Sequence, residues 1–236
     1  MRPPPLVAGL GLAGALLLGL AAPSCLFSPR PAPPPCDPNT DPTCRSAPIP
    51  QPRITPEAVR NNIQATLQAL VVEPIYDDNL DAGFRYVPDQ AAQSLVPPGF
   101  FDNWGKQKEV SFMRSLLEGR PDATHPRRMT VSFSLWTDTG VLQDPQRRYS
   151  FLYAVALEYP DSTQASQVRC ESYRAEALWD FVADANNLWT LQKWEDKQPE
   201  NSPTDPCAQQ RGSLGILRGE RGSATAPRKP GGSSSP

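Results

Sequence analysis

Histidine is nearly absent from this chain, with His125 the single one among 236 residues. Metal sites and acid–base machinery built on imidazole need further ligands or a carboxylate at a defined spacing, and His125 has neither. The sequence also lacks a Gly-rich phosphate loop, a Gly-x-Ser-x-Gly elbow and a Cys/His pairing. We therefore predict no catalytic residue, no metal site and no cofactor, and interpret His125 as a solvated loop residue.

An excess of charge of either sign is missing as well. The 23 Lys and Arg residues against 25 Asp and Glu residues give a net charge of -2. Affinity for nucleic acid depends on a basic surface that neutralises phosphates, so nucleic acid is excluded as the expected partner. The basic pairs Arg127–Arg128 and Arg147–Arg148 are interpreted as exposed strand ends, with contact to anionic lipid headgroups as the alternative.

No apolar run reaches the roughly 20 residues that a membrane-spanning helix needs. The first residues instead give Arg2, an apolar stretch from Leu6 to Leu20 and small residues up to Ser24. This order is typical of a secretory signal peptide, which we place at residues 1–24. The tetrad ending in Cys25 resembles a bacterial lipobox, which implies a lipidated Cys25 that anchors the chain to a membrane of the cell envelope. An ordinary signal cleavage with a free Cys25 is the alternative.

Five cysteines leave four once Cys25 is assigned to lipid. Four thiols in an oxidising compartment allow three pairings, of which Cys36 with Cys44 is the local one, so that Cys170 pairs with Cys207. A structural zinc site is the rival, although no Cys-x-x-Cys motif is present. Ten prolines lie between residues 28 and 53. Residues 25–53 are therefore predicted to be a Pro-rich spacer that holds the domain away from the membrane.

The middle of the chain begins with helical periodicity. Thr55 and Pro56 mark a helix start, and apolar residues follow at helical spacing through Val71. A short helix from Pro74 to about Leu80, a brief strand at residues 84–87 and a helix at 106–118 are predicted next, with a loop between the last two.

Beyond Arg128 the pattern alternates with a period of two, as in strands. Val131, Phe133 and Leu135 are expected to share one face, and a third strand is expected to run from about residue 167 to 182 with Asp180 facing solvent. Trp189 and Trp194, five apart on the last strand, are expected on opposite faces, so that one of them is exposed. Helices followed by hairpin-linked strands predict an α+β domain with helices on one face of an antiparallel sheet.

The order of these segments resembles the NTF2-like (SnoaL-like) superfamily, in secreted bacterial lipoproteins. The resemblance is carried by the helix from Thr55, by residues 76–84 and 103–106, by the final strand at 188–196 and by a tail helix at 213–218. It implies an NTF2-like cone of curved antiparallel sheet whose concave face is covered by the N-terminal helices. The domain is placed at residues 54–197, a C-terminal extension at 198–221 and a disordered tail at 222–236.

A cone of this kind implies a cavity, and we predict that aromatic side chains make it an amphipathic ligand site lined by Tyr86, Trp104, Tyr153 and Trp179. We expect its interior to be apolar and free of paired ionisable groups. The leading hypothesis is a non-catalytic envelope lipoprotein that binds a small apolar ligand or a protein partner. The alternatives are an isomerase or dehydratase, and a structural module that forms a homodimer through the sheet.

Overall fold

The computed structural model describes residues 36–160, 168–199, 205, 207 and 209–224. The predicted signal peptide, Cys25 and residues 225–236 of the predicted tail lie outside these residues. Five helices and six strands follow one another in the described part: α1 Pro56–Ala69, α2 Ile75–Asn79, β1 Leu80–Val87, α3 Gln90–Ser94, α4 Lys106–Leu117, β2 Arg128–Gln143, β3 Gln146–Pro160, β4 Val168–Ala183, β5 Trp189–Pro199, β6 Gln209–Gln210 and α5 Leu214–Ala224. A 3-10 helix, Pro42–Cys44, precedes them.

Helix α1 begins and ends where the sequence predicts. The Thr55 side chain accepts a hydrogen bond from the Ala58 amide at 3.2 Å, and Pro56 occupies the first turn. Leu70 ends the helix with a left-handed backbone at φ 56°. The apolar face of α1 is fully buried at Val59, Ile63 and Leu67. Capping and burial therefore position this helix together.

The strands form one curved, mixed sheet in the order β1-β5-β4-β3-β2, with β6 added beside β4. The long central pairs β2–β3, β3–β4 and β4–β5 are antiparallel, whereas β1 pairs with β5 in parallel. Helices α1 and α2 pack against strands of this sheet and α4 packs against β1. The α+β cone expected from the sequence is confirmed.

Two expectations about the strands are wrong because bulges change the alternation of side chains. A register shift between Ser134 and Thr137 places Leu135 at φ 54° with 76% of its surface exposed, away from the buried Val131. A second shift, in the β4–β5 pairing next to Asp180, lets Trp189 pack against the same core that buries Trp194. Neither indole is therefore the exposed one that the regular spacing predicts.

The sequence analysis also misplaces the start of one strand and misses one helix and the burial of one side chain. Strand β1 begins at Leu80 rather than near Phe84, and α3 occupies part of the predicted loop. Asp180, expected to face solvent, is 6% exposed because Arg148 covers it with two hydrogen bonds of 2.6 and 2.8 Å.

Both disulfides expected from the cysteine spacing are present, Cys36–Cys44 and Cys170–Cys207. The second joins β4 to the segment that leads into α5. Within the described residues, no helix has the length and apolar character needed to cross a membrane.

Candidate functional site

Helix α5 fills the interior of the cone. Leu214, Leu217 and Arg218 are at most 1% exposed, so this face of α5 is part of the core. The tail helix predicted at residues 213–218 is present at Leu214–Ala224, but it reaches into the predicted disordered tail and packs inside the domain rather than outside it. The space in which the sequence predicts a ligand is therefore occupied by the protein's own C-terminal helix.

A buried ion pair holds α5 to α4. Arg218 and Glu109 both have fully buried side chains. Arg218 donates from Nε to Glu109 Oε2 at 2.9 Å and from Nη2 to Oε1 at 2.6 Å. The Tyr76 hydroxyl donates to Oε1 at 2.9 Å and the Trp104 indole to Oε2 at 2.6 Å. Glu109 is thus fixed from both sides, and its charge is balanced by Arg218.

Three aromatic rings surround the Arg218 guanidinium. Its central carbon lies 4.0 Å from the ring centre of Tyr86, 4.9 Å from that of Trp194 and 5.9 Å from that of Phe112. Aromatic faces attract cations, most strongly where water is excluded. The carboxylate and these rings together form a guanidinium seat, defined here as Glu109, Tyr86, Trp194 and Phe112.

A second carboxylate receives the first turn of α5. Asp196 accepts from the Tyr86 hydroxyl at 2.5 Å, from the Trp194 indole at 2.8 Å and from the Gly215 amide at 3.1 Å. The Tyr153 hydroxyl accepts from the Leu214 amide at 2.8 Å. These acceptors satisfy amides at the helix N-terminus, which have no partner inside the helix itself.

Burial sets the protonation of this interior. It raises the pKa of Asp196 above its ordinary value, and the charge of Arg218 opposes that shift. Burial, and then the Asp196 carboxylate, raises the pKa of both Tyr86 and Tyr153 well above the usual range for a phenol. Burial disfavours the charged guanidinium, yet Glu109 raises the pKa of Arg218 well above its ordinary value. The tyrosines therefore remain protonated hydrogen-bonding groups and Arg218 remains a cation.

The expectation of an apolar interior without paired ionisable groups is therefore wrong. Asp196 with Tyr86, and Glu109 with Arg218, lie within hydrogen-bonding distance in a space shielded from solvent. Their oxygen atoms are, however, engaged by donors from several elements. In this arrangement both carboxylates accept hydrogen bonds from α5 and from neighbouring aromatic side chains.

An open pocket has Tyr86 and Trp104 among its lining residues. It has a volume of about 590 Å³ and lies between β1 and residues 96–104. Tyr86 and Trp104 belong to its lining, and the Tyr86 amide ties the two walls by donating to the Trp104 carbonyl at 2.9 Å. We call this the aromatic pocket, with the side chains Arg85, Tyr86, Gln93, Val96, Phe100, Phe101, Asp102 and Trp104 in its lining.

The four predicted ligand residues lie in different places. Tyr86 and Trp104 line the aromatic pocket. Tyr153 is fully buried beneath the start of α5, and Trp179 is fully buried among aromatic rings, 4.9 Å from the ring centre of Trp194. All four residues are at most 2% exposed, and their role in ligand binding stays a prediction.

The sequence analysis missed the three charged residues of the interior, although each carries a signal. Arg218 follows Leu214 and Leu217 at helical spacing, so it belongs to the apolar face of the tail helix. Glu109 likewise precedes Met113 by four residues on the apolar face of α4. Asp196 lies two residues after Trp194, on the same side of a regular strand. A charged residue on an apolar face predicts a buried partner.

The glycines of α5 provide a test of how tightly it is seated. A Cβ atom at Gly215 would lie 2.5 Å from the Tyr86 hydroxyl and 2.8 Å from the Ala92 Cβ. We expect Gly215→Ala to lower the free energy of unfolding by about 1–3 kcal/mol, the usual cost of overpacking, despite the better helix propensity of Ala. Urea denaturation followed by tryptophan fluorescence measures this change.

The matched control for this substitution is Glu220→Ala, at an exposed position of the same helix. It is expected to change the stability by less than about 0.5 kcal/mol. A Gly215→Ala protein as stable as the parent chain would mean that α5 is not packed against Tyr86 and α3 as described.

Metal chemistry finds no support in the part of the chain that is described, where no group of three or more His, Cys, Asp or Glu side chains is arranged to hold an ion. His125 lies in a loop, with its Nδ1 atom 3.0 Å from Asp122 Oδ1.

Comparison with known proteins adds the fold alone. No family model and no curated protein matches the chain. Among solved structures, the chain is similar to an NTF2-like superfamily protein from Salmonella enterica (10% identity over 63% of this chain and 91% of the other, TM-score 0.40). It is also similar to ActVI-ORFA from Streptomyces coelicolor (8% identity over 59% of this chain and 90% of the other, TM-score 0.41). A third similar structure is a conserved protein from Planctomyces limnophilus (11% identity over 60% of this chain and 91% of the other, TM-score 0.40).

The molecule is an α+β domain with a curved six-stranded sheet, in the order of segments that the sequence predicts. Its distinguishing feature is the helix α5, which fills the interior of the cone and is held to α4 by a buried ion pair. These similarities carry no activity, ligand or partner over to this chain.

Proposed function

We propose that this chain is a non-catalytic lipoprotein of the cell envelope whose NTF2-like domain binds a small, largely apolar molecule in the aromatic pocket. The observation that carries the proposal is an open pocket of about 590 Å³ whose lining residues include four aromatics, of which Phe100 is the most exposed. Sites for small molecules usually have volumes of roughly 300–1,000 Å³ and combine apolar walls with a few polar groups.

The walls of the pocket are rigid enough to preorganise such a site. Phe100, Phe101 and Trp104 contact one another with ring centres 4.9 to 5.7 Å apart. On its other side Trp104 donates its indole hydrogen to Glu109, which fixes the orientation of the ring. A ligand that fits this surface therefore binds without ordering the rings first.

Polar groups at the rim favour a ligand with an anionic or hydrogen-bonding end. Lys108 places its ammonium group 4.5 Å from the ring centres of both Phe100 and Trp104, and exposed Arg85 lines the pocket. Asp102 is the opposing charge in the lining. The lining of the pocket thus combines aromatic residues with polar and charged ones, and Lys108 lies beside two of its rings.

The non-catalytic part of the proposal is supported by the hydrogen bonds that the two interior carboxylates make. Asp196 and Glu109, the carboxylates with phenol partners inside the cone, are bonded to α5 and to neighbouring indoles. A general base has to reach the proton that it removes. A catalytic role requires α5 to leave, whereas ligand binding in the aromatic pocket does not.

The pocket is tested with 1-anilinonaphthalene-8-sulfonate, an aromatic probe with one anionic group. We expect saturable, one-to-one binding to the parent protein and about tenfold weaker binding to Phe100→Ala, because an aromatic contact contributes roughly 0.5–1.5 kcal/mol. Fluorescence titration measures both constants, and mass spectrometry of compounds extracted from the purified protein identifies a natural ligand.

Leu95→Ala is the matched control for the pocket. Leu95 lies next to the pocket in sequence, is 56% exposed and does not line it. Its replacement is expected to leave the affinity for the probe within a factor of two. Equal affinities of the parent and the Phe100→Ala proteins would remove the pocket as the binding site.

The envelope location is tested at Cys25. We expect a metabolically supplied fatty acid to label the parent chain in a bacterial host and to fail to label Cys25→Ser. Several acyl chains hold a protein stably on a membrane, whereas a single chain does so only marginally. Cys25→Ser is therefore also expected to move from the membrane fraction to the soluble fraction. Membrane retention of the unlabelled variant would contradict a lipid anchor at this residue.

A further inference from the structure

Helix α5 depends on its seat for its own stability. It has 11 residues, of which Gly215, Gly219 and Gly222 are three. Glycine disfavours a helix interior, and isolated helices of this length are marginal in water even with the best sequences. The helix is therefore stabilised by the contacts of Leu214, Leu217 and Arg218 inside the cone, and it is expected to unfold locally when it leaves.

The short connection in front of α5 keeps it near the seat once it has left. Six residues separate Leu214 from Cys207, which is bonded to Cys170 in β4. Unseating of α5 therefore leaves strands β1 to β5 and their disulfide in place. The exchange between seated and unseated α5 is an intramolecular equilibrium of this terminal segment.

The guanidinium seat is built by elements other than α5. Glu109 lies on α4, and its orientation is set by Tyr76 of α2 and by Trp104 ahead of α4. The rings of Tyr86, Trp194 and Phe112 belong to β1, β5 and α4. When α5 leaves, the carboxylate and the rings retain their supports, so the site exists apart from its present occupant.

The chemistry of this seat specifies what replaces Arg218. A buried carboxylate without a partner is strongly unfavourable, so any occupant has to be a cation. Its oxygen atoms are spaced to accept two parallel hydrogen bonds, as they do from Arg218 Nε and Nη2, which matches a planar guanidinium group. The three rings add the apolar and cation–π contacts that suit an organic cation.

Arg218 is an incomplete occupant of the seat. Its Nη1 atom is buried and has no hydrogen-bond partner within the residues that the structure describes. A buried donor without an acceptor is unfavourable and rare in folded proteins. A small molecule that carries a guanidinium group on a flexible apolar chain can bind in positions that the Arg218 side chain, attached to a helix, cannot reach.

We propose that the seat formed by Glu109, Tyr86, Trp194 and Phe112 is a second binding site, specific for a guanidinium group on a small apolar body, and that Arg218 of α5 occupies it when no such ligand is present. The site differs from the aromatic pocket, which opens to solvent on the other side of Tyr86 and Trp104. Ligand binding then requires α5 to leave, and a bound ligand keeps α5 unseated.

The unmodified chain tests this competition by hydrogen exchange. The probe is hexylguanidinium, and hexylurea is its neutral counterpart of similar shape. We expect backbone amides of α5 to exchange through local opening, faster than those of β3 and β4. Saturating hexylguanidinium is expected to raise α5 exchange at least tenfold without changing β3 and β4, whereas hexylurea has no effect. Exchange of α5 only together with the central strands, or equal effects of both compounds, would overturn the proposal.

Removal of the present occupant provides the second test. In Arg218→Ala the seat is empty of its cation, so hexylguanidinium is expected to bind at least tenfold more tightly than to the unmodified chain. Binding is expected to raise the melting temperature of this variant. Arg218→Ala/Glu109→Gln, which lacks the carboxylate charge as well, is expected to lose the preference for hexylguanidinium over hexylurea.

If Arg218→Ala folds poorly, the hydrogen-exchange measurement still tests the proposal, because it uses the unmodified chain. A folded Arg218→Ala protein that binds both compounds equally would exclude a guanidinium site. Titration with 1-anilinonaphthalene-8-sulfonate reports on the aromatic pocket alone, so failure of one site is distinguished from failure of the other.

Discussion

Glu109→Ala is expected to lower the free energy of unfolding by about 3–5 kcal/mol, the largest loss from any single substitution considered for this domain. The change removes the carboxylate but leaves the Arg218 guanidinium charged and fully buried. It also leaves the Tyr76 hydroxyl and the Trp104 indole without their acceptor. Urea denaturation followed by tryptophan fluorescence and by circular dichroism measures the loss.

A double substitution separates the effect of charge from the effect of volume. In Glu109→Met/Arg218→Met neither charge remains buried, and two flexible apolar side chains fill a similar space. Apolar replacement of a whole buried ion pair is often neutral or stabilising. The double variant is therefore expected to recover most of the stability that Glu109→Ala loses. A double variant as unstable as the single one would show that packing or the lost acceptor of Tyr76 and Trp104, and not the uncompensated guanidinium, causes the loss.

The sequence correctly predicts the elements whose positions depend on residues close together in the chain. The start of α1 requires only a Thr cap and a Pro in the first turn, and both are visible in the sequence. From Tyr149 to Pro160, strand β3 alternates between buried and partly buried residues, because its pairing with β4 has no register shift. Such elements depend on nearest neighbours in the chain, so one sequence suffices to place them.

The predictions that failed concern side chains whose orientation depends on how one strand pairs with another. Whether Trp189 and Trp194 share a side is decided by a bulge in the β4–β5 ladder, which no spacing within β5 shows. The exposure of Leu135 depends in the same way on the β2–β3 register shift. A single inserted residue reverses the alternation, so one unrecognised bulge changes the side of every residue beyond it.

Aromatic residues are a signal of their own, so the sequence predicts a ligand site from them. Tyr86 and Trp104 were expected at a ligand site from their amphipathic character, and both line the aromatic pocket. The guanidinium seat was missed because Glu109 and Arg218 are 109 residues apart and belong to two helices. Each residue lies on the apolar face of its own helix, but only their contact shows that the two charges are buried together.

Both disulfides follow from the cysteine spacing, but they are expected to contribute very differently to stability. Replacing Cys170 and Cys207 by Ser is expected to lower the free energy of unfolding by about 4 kcal/mol in the chain-entropy model, because this bond closes a long loop. The sequence separation of these cysteines is 37 residues. The bond also holds the segment before α5 beside β4, so its loss is expected to increase hydrogen exchange in α5 more than in β3.

Cys36→Ser/Cys44→Ser is the control, because that bond closes a loop with a sequence separation of only 8 residues at the edge of the domain. The loop contacts the domain through Arg45, whose Nη1 atom donates to the Leu117 carbonyl at 2.6 Å. The loop is able to open without disturbing the sheet, so a loss below about 1 kcal/mol is expected for global unfolding. Equal losses in the two double variants would mean that residues 36–45 unfold only with the whole domain, and that the N-terminal loop is as integral to the core as α5.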